Sequence, residues 1–181
     1  MSELQPEYDP ETLREVFPDP AAVAARIVAR RREIGAAPDD TAELMARGEL
    51  VGLLRAGGQL EDALAQAKVA VDRAELAGSP AQQHTARLRL AQVYQWRGEF
   101  VEADLLFIEL KAASGKFGPV IDAFTKEGAG RNDYDQGRYA DAESCFIHAL
   151  VLRQTFELPD DQIASAESAL AAARRHKKEA E

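Results

Sequence analysis

Apolar residues recur at intervals of three and four along much of the chain, which is the spacing that places them on one face of an α-helix. The first such stretch carries Leu60, Ala63, Leu64, Ala67, Ala70, Val71 and Ala74. The second carries Phe100, Ala103, Leu106, Phe107 and Leu110, and the third Tyr139, Ala142, Phe146, Ala149 and Leu150. The pattern therefore predicts three amphipathic helices.

Each of these helices begins in the same six-residue phrase, which reads GQLEDA, GEFVEA and GRYADA in turn. The leading glycines Gly58, Gly98 and Gly137 are separated by 40 and 39 residues. A near-constant period of this size is typical of helical repeats. We expect the glycine to reverse the chain in a left-handed conformation, and the alanine five residues later to let two helices approach closely.

Prolines follow the same period. Pro38, Pro80, Pro119 and Pro159 are separated by 42, 39 and 40 residues. Proline is favoured in the first turn of a helix, so each repeat is predicted to run as proline, helix A, glycine turn and helix B.

The third helix A is irregular, because it contains Gly128, Gly130 and Asp133 within a short stretch. An interior glycine costs about 1 kcal/mol relative to alanine, so this helix is predicted to be weak, bent or short at its C-terminal end. Two explanations remain open. Packing through Val120, Ile121 and Phe124 holds the helix together, or a ligand or partner lies against the glycines.

The two ends differ from the repeats. Residues 20–36 are predicted to form an N-terminal packing helix, and residues 159–179 a C-terminal helix that covers the end of the array. Asp160 and Asp161 are expected to cap this last helix. Residues 1–19 carry six acids against Arg14 alone. They are either a flexible, solvated lead or a segment that folds over the binding surface and competes with a partner.

Composition limits the function further. With 181 residues, 46% of them hydrophobic, the chain is long enough to bury a core. A net charge of −9 disfavours nucleic acid and anionic membranes as partners. An acidic start and the lack of a long apolar run predict a cytoplasmic protein. The abundance of alanine, arginine and aspartate is typical of a bacterial source.

Candidate chemistry is sparse. His84, His148 and His176 are scattered, and no catalytic or phosphate-binding motif occurs. The single cysteine, Cys145, lies in an apolar run and is expected to be a small helical residue. We therefore expect no enzyme activity, no catalytic residue, no metal site and no cofactor.

The repeated phrase resembles the tetratricopeptide repeat family, whose helix pairs have this spacing of glycine, aromatic residue and alanine. The resemblance covers roughly residues 38–156. Leu90, Ala91 and Tyr94 fall where the family places the core residues of helix A, and Leu50, Val51 and Leu54 occupy those places in the first repeat. The period exceeds the common one of about 34 residues and resembles that of kinesin light chains. It implies an all-α, right-handed α-solenoid of three helix pairs over 38–158, divided into 38–79, 80–118 and 119–158.

Members of this family bind peptide segments of other proteins in a concave groove lined by the A helices. The resemblance therefore implies an adaptor or scaffold with an unidentified protein or peptide partner. Carrying over the family's groove positions gives Met45, Gly48, Gly52, Arg55, Leu88, Gln92, Gln95, Trp96, Phe124, Glu127, Arg131 and Tyr134. Amides suit a peptide backbone and arginines suit acidic side chains. Trp96 is equally suited to bracing the junction between repeats. Gly48 and Gly52 replace the lysine and asparagine of chaperone-binding members, which argues against a chaperone cofactor.

Two other functions remain open from the sequence. The first is a self-associating structural protein, a homo-oligomer that pairs through its end helices or the alanine-rich last helix. The second is a sensor in which a small molecule or signalling peptide binds beside the glycines of the third repeat.

Overall fold

The computed structural model describes residues 6–180, which leaves residues 1–5 of the predicted acidic lead and residue 181 outside the described part. These residues form eight α-helices and two short strands. The helices are α1 (Pro20–Gly35), α2 (Asp40–Ala56), α3 (Leu60–Ala77), α4 (Pro80–Arg97), α5 (Phe100–Ala112), α6 (Pro119–Asp135), α7 (Tyr139–Thr155) and α8 (Asp160–Glu179). Strands β1 (Glu7–Tyr8) and β2 (Glu15–Val16) pair antiparallel. The predicted helical class is confirmed.

The helices belong to two compact units. The first comprises residues 6–8 with Arg14–Glu99, and the second comprises Asp9–Leu13 with residues 100–180. In the first unit α1 packs on α2, α2 on α3 and α3 on α4. In the second unit α5 packs on α6, α6 on α7 and α7 on α8. Consecutive helices therefore pack on one another within each unit, as a helical repeat requires.

The repeated phrase has the predicted geometry. Gly58, Gly98 and Gly137 have φ angles of 73°, 75° and 73°, in the left-handed region that glycine adopts without steric cost. The alanines five residues later are fully buried, each with 0% exposure: Ala63, Ala103 and Ala142. The helix A core of the first repeat is confirmed as well, since Leu50, Val51 and Leu54 are at most 1% exposed.

Helix starts follow the sequence less closely. Pro80 and Pro119 occupy first turns, but Pro38 precedes α2 and Pro159 is itself the N-cap of α8. The prediction that Asp160 and Asp161 cap α8 was wrong, because both lie in the first turn and no side chain caps this helix. Their carboxylates still lie where the helix dipole favours negative charge.

Helix α6 runs without a break from Pro119 to Asp135, so it is not shortened at its C-terminal end. A Cβ atom on Gly130 would lie 2.7 Å from Cε1 of Phe146, so the glycine is what lets α7 approach α6 this closely. At Gly130 the contact with Phe146 favours the packing explanation. The sequence analysis expected Val120, Ile121 and Phe124 to provide this packing. For Val120 and Phe124 that prediction was wrong, because both side chains are exposed.

The core of the second unit lies between α7 and α8. The buried alanine face of α8 packs in one cluster with the core of α7, the members being Ala142, Phe146, Ala169, Leu170, Ala172 and Ala173. Leu13 belongs to residues 9–16, which we call the N-terminal segment. It is 4% exposed and joins the same cluster, although its φ angle is 56°. A leucine adopts this conformation at a steric cost, which the burial of its side chain offsets.

Candidate functional site

The predicted groove residues divide between the two units. Arg55, Leu88, Gln92, Gln95 and Trp96 belong to the first, and Phe124, Glu127, Arg131 and Tyr134 belong to the second. Their surroundings differ, so each set is described within its own unit.

In the first unit, three predicted residues meet around the N-terminal segment. Nη1 of Arg55 donates a hydrogen bond of 2.7 Å to Oε1 of Gln92, and Nη2 donates to the carboxylate of Glu15. The guanidinium carbons of Arg55 and Arg14 each lie 5.1 Å from the ring centroid of Trp96. The predicted residues of α2 and α4 thus bind two residues of the chain itself.

The other two predicted residues of α4 are placed differently. Leu88 is 5% exposed and Gln95 is 3% exposed, so both present little surface to a partner. Gln92 and Trp96 are partly exposed. Only Gln92 and Trp96 of the predicted α4 residues therefore lie on the side of the helix that faces the N-terminal segment.

Arg89 is the residue of this site that the sequence analysis missed. Its Nε atom lies 2.7 Å from the point where a Cβ atom of Gly48 would stand, so the guanidinium lies against the glycine on α2. Burial, followed by the neighbouring charge of Arg55, lowers the pKa of Arg89. Arg89 precedes Gln92 by three residues and Trp96 by seven, so helical periodicity places all three on one face and was sufficient to find it.

In the second unit, Glu127 and Arg131 belong to a buried ionic network. The Glu127 carboxylate accepts a hydrogen bond of 2.7 Å from Nη2 of Arg131 and another from Arg153, which is 1% exposed. Burial alone would raise the pKa of Glu127, but the two arginines outweigh it and hold that pKa below its usual value. Arg153 also donates 2.7 Å to the carbonyl of Gln162, so this network joins α6, α7 and α8. The ring of Phe124 lies 5.5 Å from the Arg153 guanidinium.

Tyr134 also contacts the N-terminal segment, within the second unit. Its hydroxyl donates a hydrogen bond of 2.8 Å to the carbonyl oxygen of Glu11. Its ring packs edge-on against Tyr139 and His176, at centroid distances of 5.4 and 5.5 Å. Burial, followed by Tyr139, raises the pKa of Tyr134 to about 12. Arg175 donates a hydrogen bond of 3.0 Å to the Glu11 carboxylate.

Within the first unit, Arg14 and Glu15 thus contact predicted groove residues, and within the second unit Glu11 contacts Tyr134. That the acidic lead competes with a partner for these residues stays a prediction.

A second polar cluster, also missed from the sequence, surrounds a cavity of about 140 Å³ in the second unit. Arg138 donates hydrogen bonds of 2.8 Å and 2.5 Å to the carboxylates of Asp104 and Asp133. Burial raises the pKa of Asp133, and it likewise raises the pKa of Cys145, whose Sγ lies 4.0 Å from Oδ2 of Asp133. A thiol with a raised pKa is a poor nucleophile at neutral pH.

Residues 6–180 offer neither a metal site nor a membrane-spanning helix. No group of three His, Cys, Asp or Glu side chains is placed to hold a metal ion among these residues. None of their helices combines the length and the apolar character needed to cross a membrane.

Comparison of the sequence with protein-family models finds no matching family, and comparison with curated proteins finds no matching sequence. The resemblance to the tetratricopeptide repeat family therefore remains a prediction from the repeated phrase and its period.

Proposed function

We propose that this protein is a non-enzymatic adaptor that binds an extended peptide segment of a partner protein on α2 and α4. We further propose that its helix pairs are tetratricopeptide-like repeats arranged in a right-handed solenoid. One observation carries the binding function: Glu15 of the chain itself pairs with Arg55, which also contacts Gln92, and Arg14 lies over the ring of Trp96.

The chemistry of these contacts suits peptide recognition. Glu15 belongs to a strand, so the bound segment is extended where it meets Arg55. A hydrogen bond between an arginine and a carboxylate is stronger than one between neutral groups, and the face of Trp96 attracts a cation. Tryptophan and arginine are also the residue types that contribute most to protein interfaces.

The α2 helix offers free space beside these contacts. A Cβ atom on Gly52 would meet no other atom within 4 Å. Gly52 lies one turn before Arg55 on α2, so a partner side chain has room to enter beside the arginine. This space makes position 52 the best place for a probe.

Site-specific cross-linking tests the proposal. A photoreactive phenylalanine at position 52 of the full chain, irradiated in lysate of the source organism, is expected to capture a distinct protein. The matched control carries the same group at position 35 of α1, where a Cβ atom on Gly35 also meets nothing within 4 Å. Capture of the same proteins from both positions, or of none from position 52, would contradict a partner on this face.

Self-association is a second candidate, because α5 has an open apolar stripe. Val101, Leu105 and Ile108 are 71%, 61% and 63% exposed and lie on one face of the helix. The alanine face of α8, by contrast, is covered by its own chain. Sedimentation of the full chain over a hundredfold range of concentration tests this candidate. A mass that rises with concentration in the wild type and stays monomeric in Leu105→Glu supports it, and a monomer throughout counts against it.

A further inference from the structure

The side of the first unit that carries the N-terminal segment has an unbalanced positive charge. We call it the α2/α4 face and define it by Gly48, Gly52, Arg55, Arg89, Gln92 and Trp96. The whole chain carries a net charge of −9, so a surface with surplus arginine runs against its composition. The inference below rests on the proposed peptide-binding function and adds the chemistry of the partner.

One arginine of this face has a carboxylate partner. Arg55 donates to the Glu15 carboxylate and to Gln92, and it is 8% exposed. A buried guanidinium with a carboxylate partner is the stable arrangement for such a charge. Glu15 therefore pairs directly with Arg55 and acts on Arg89 only through its charge, without a hydrogen bond.

The second arginine has no such partner. Among residues 6–180, Arg89 makes no hydrogen bond or ion pair. The charges of Glu49 and Glu15 act on Arg89, but both acids are paired with other arginines, Glu15 with Arg55 and Glu49 with Arg30 at 2.5 Å. Arg55 itself adds a like charge beside Arg89. A partly buried cation without a carboxylate costs stability, which a protein retains most readily where a ligand supplies the missing charge.

The glycines of α2 explain how this arginine is accommodated. A Cβ atom at position 48 would lie 2.7 Å from Nε of Arg89. The Arg89 guanidinium can lie this close to α2 because position 48 is a glycine. At position 52 the space stays open. The α2/α4 face thus contains the paired Arg55 and the unpaired Arg89. The open space at Gly52 leaves room for a peptide beside them.

We propose that the α2/α4 face binds an extended acidic segment of a partner protein through two carboxylates, one on Arg55 in place of Glu15 and one on Arg89. Arg14–Val16 of the chain supplies only the first carboxylate. The partner therefore displaces this segment, because it satisfies both arginines and removes the like charge of Arg14 from the face.

Two labelled nonapeptides test the proposal on the full chain by fluorescence anisotropy. The acidic probe is Ser-Leu-Glu-Val-Glu-Val-Glu-Phe-Ser, in which successive glutamates lie on one side of an extended strand. The matched probe has glutamine at all three positions. Glu15→Gln weakens the competing segment, so we expect this variant to bind the acidic probe about tenfold more tightly than wild type and the glutamine probe not at all.

Arg89 gives the decisive comparison. In the Glu15→Gln background, Arg89→Gln is expected to weaken the acidic probe about tenfold, because one charge-assisted hydrogen bond is lost. Arg87→Gln is the control, since it removes the same charge from the same helix, where Arg87 pairs with Glu75 at 2.8 Å. We expect Arg87→Gln to leave binding unchanged. The same loss in both variants would mean that net charge, and not Arg89, attracts the probe.

Stability separates a binding role of Arg89 from a structural one. A structural arginine lowers the melting temperature when it is replaced, whereas an unpaired one leaves it unchanged or raises it. A lower melting temperature for Arg89→Gln, or equal binding of both probes, would overturn the acidic partner. If the acidic and glutamine probes bind equally and Trp96→Ala abolishes that binding, the result would still support the proposed peptide-binding function. Failure of that function appears separately, as no selective capture from position 52.

Discussion

The hydroxyl of Tyr134 donates a hydrogen bond of 2.8 Å to the carbonyl oxygen of Glu11, which lies 123 residues earlier in the chain. Leu13, two residues after Glu11, is buried with an exposure of 4%. A polar contact and an apolar one therefore hold residues 9–13 within the second unit.

Tyr134→Phe is expected to loosen this segment. Loss of one hydrogen bond costs about 1 kcal/mol, which corresponds to about fivefold faster local opening. Amide hydrogen exchange of residues 10–16, followed by mass spectrometry, measures the change. Tyr139→Phe is the control because its ring packs edge-on against Tyr134. Equal acceleration in both variants would show that the hydroxyl of Tyr134 does not hold the segment.

Two glycines with opposite surroundings give a stability prediction. A Cβ atom on Gly130 would lie 2.7 Å from the Phe146 ring, so Gly130→Ala is expected to destabilise the protein by about 1–3 kcal/mol. Gly52 lies in a helix interior with open space around its Cα atom, so Gly52→Ala is expected to stabilise it by about 0.5–1 kcal/mol. Urea unfolding of both variants measures these changes. A Gly130→Ala variant as stable as wild type would contradict the close packing of α6 on α7, and a destabilised Gly52→Ala variant would contradict the open space at position 52.

Regular features of the fold could be predicted because they depend on local rules. Gly58, Gly98 and Gly137 follow helices and adopt positive φ, and apolar residues three and four apart form the buried faces. The bounds of α1 and α8 also follow from the sequence within a few residues. Each of these features depends on residues that lie close together in the chain.

Contacts between distant residues could not be predicted in this way. Burial of Glu127 depends on Arg153 and Arg131 together, and apolar periodicity gives no sign of a buried ionic network. The contact of Glu15 with Arg55 joins residues 40 positions apart. Arg89 could have been predicted, because it shares a face of α4 with Gln92 and Trp96. The prediction instead included Leu88 and Gln95, which are buried.

The single cysteine offers a test of the second unit. Burial, followed by the Asp133 carboxylate, raises the pKa of Cys145. The thiolate is the reactive form, so we expect the folded protein to react with an aromatic disulfide reagent at about pH 8 at least about tenfold more slowly than free cysteine. Unfolding in urea is expected to restore the normal rate. A rate in the folded protein equal to that of free cysteine would contradict the burial of this side chain.

Acid unfolding tests the network around Glu127. Its pKa in the folded protein is lowered from 4.5, because the charges and hydrogen bonds of Arg131 and Arg153 outweigh the effect of burial. A carboxylate with a lowered pKa in the folded state stabilises the protein above its unfolded pKa, and this contribution is lost as the pH falls through the folded value.

Glu127→Gln removes that charge and leaves the buried Arg153 without it, so we expect a loss of about 3–5 kcal/mol at neutral pH. The difference in the free energy of unfolding between wild type and variant is expected to shrink as the pH falls below 4.5, because the unfolded chain then takes up a proton that folded Glu127 takes up only at lower pH. Glu109→Gln, at an exposed position of α5, is the control and should follow wild type at every pH. A difference that stays constant with pH would mean that Glu127 contributes through packing and not through its charge.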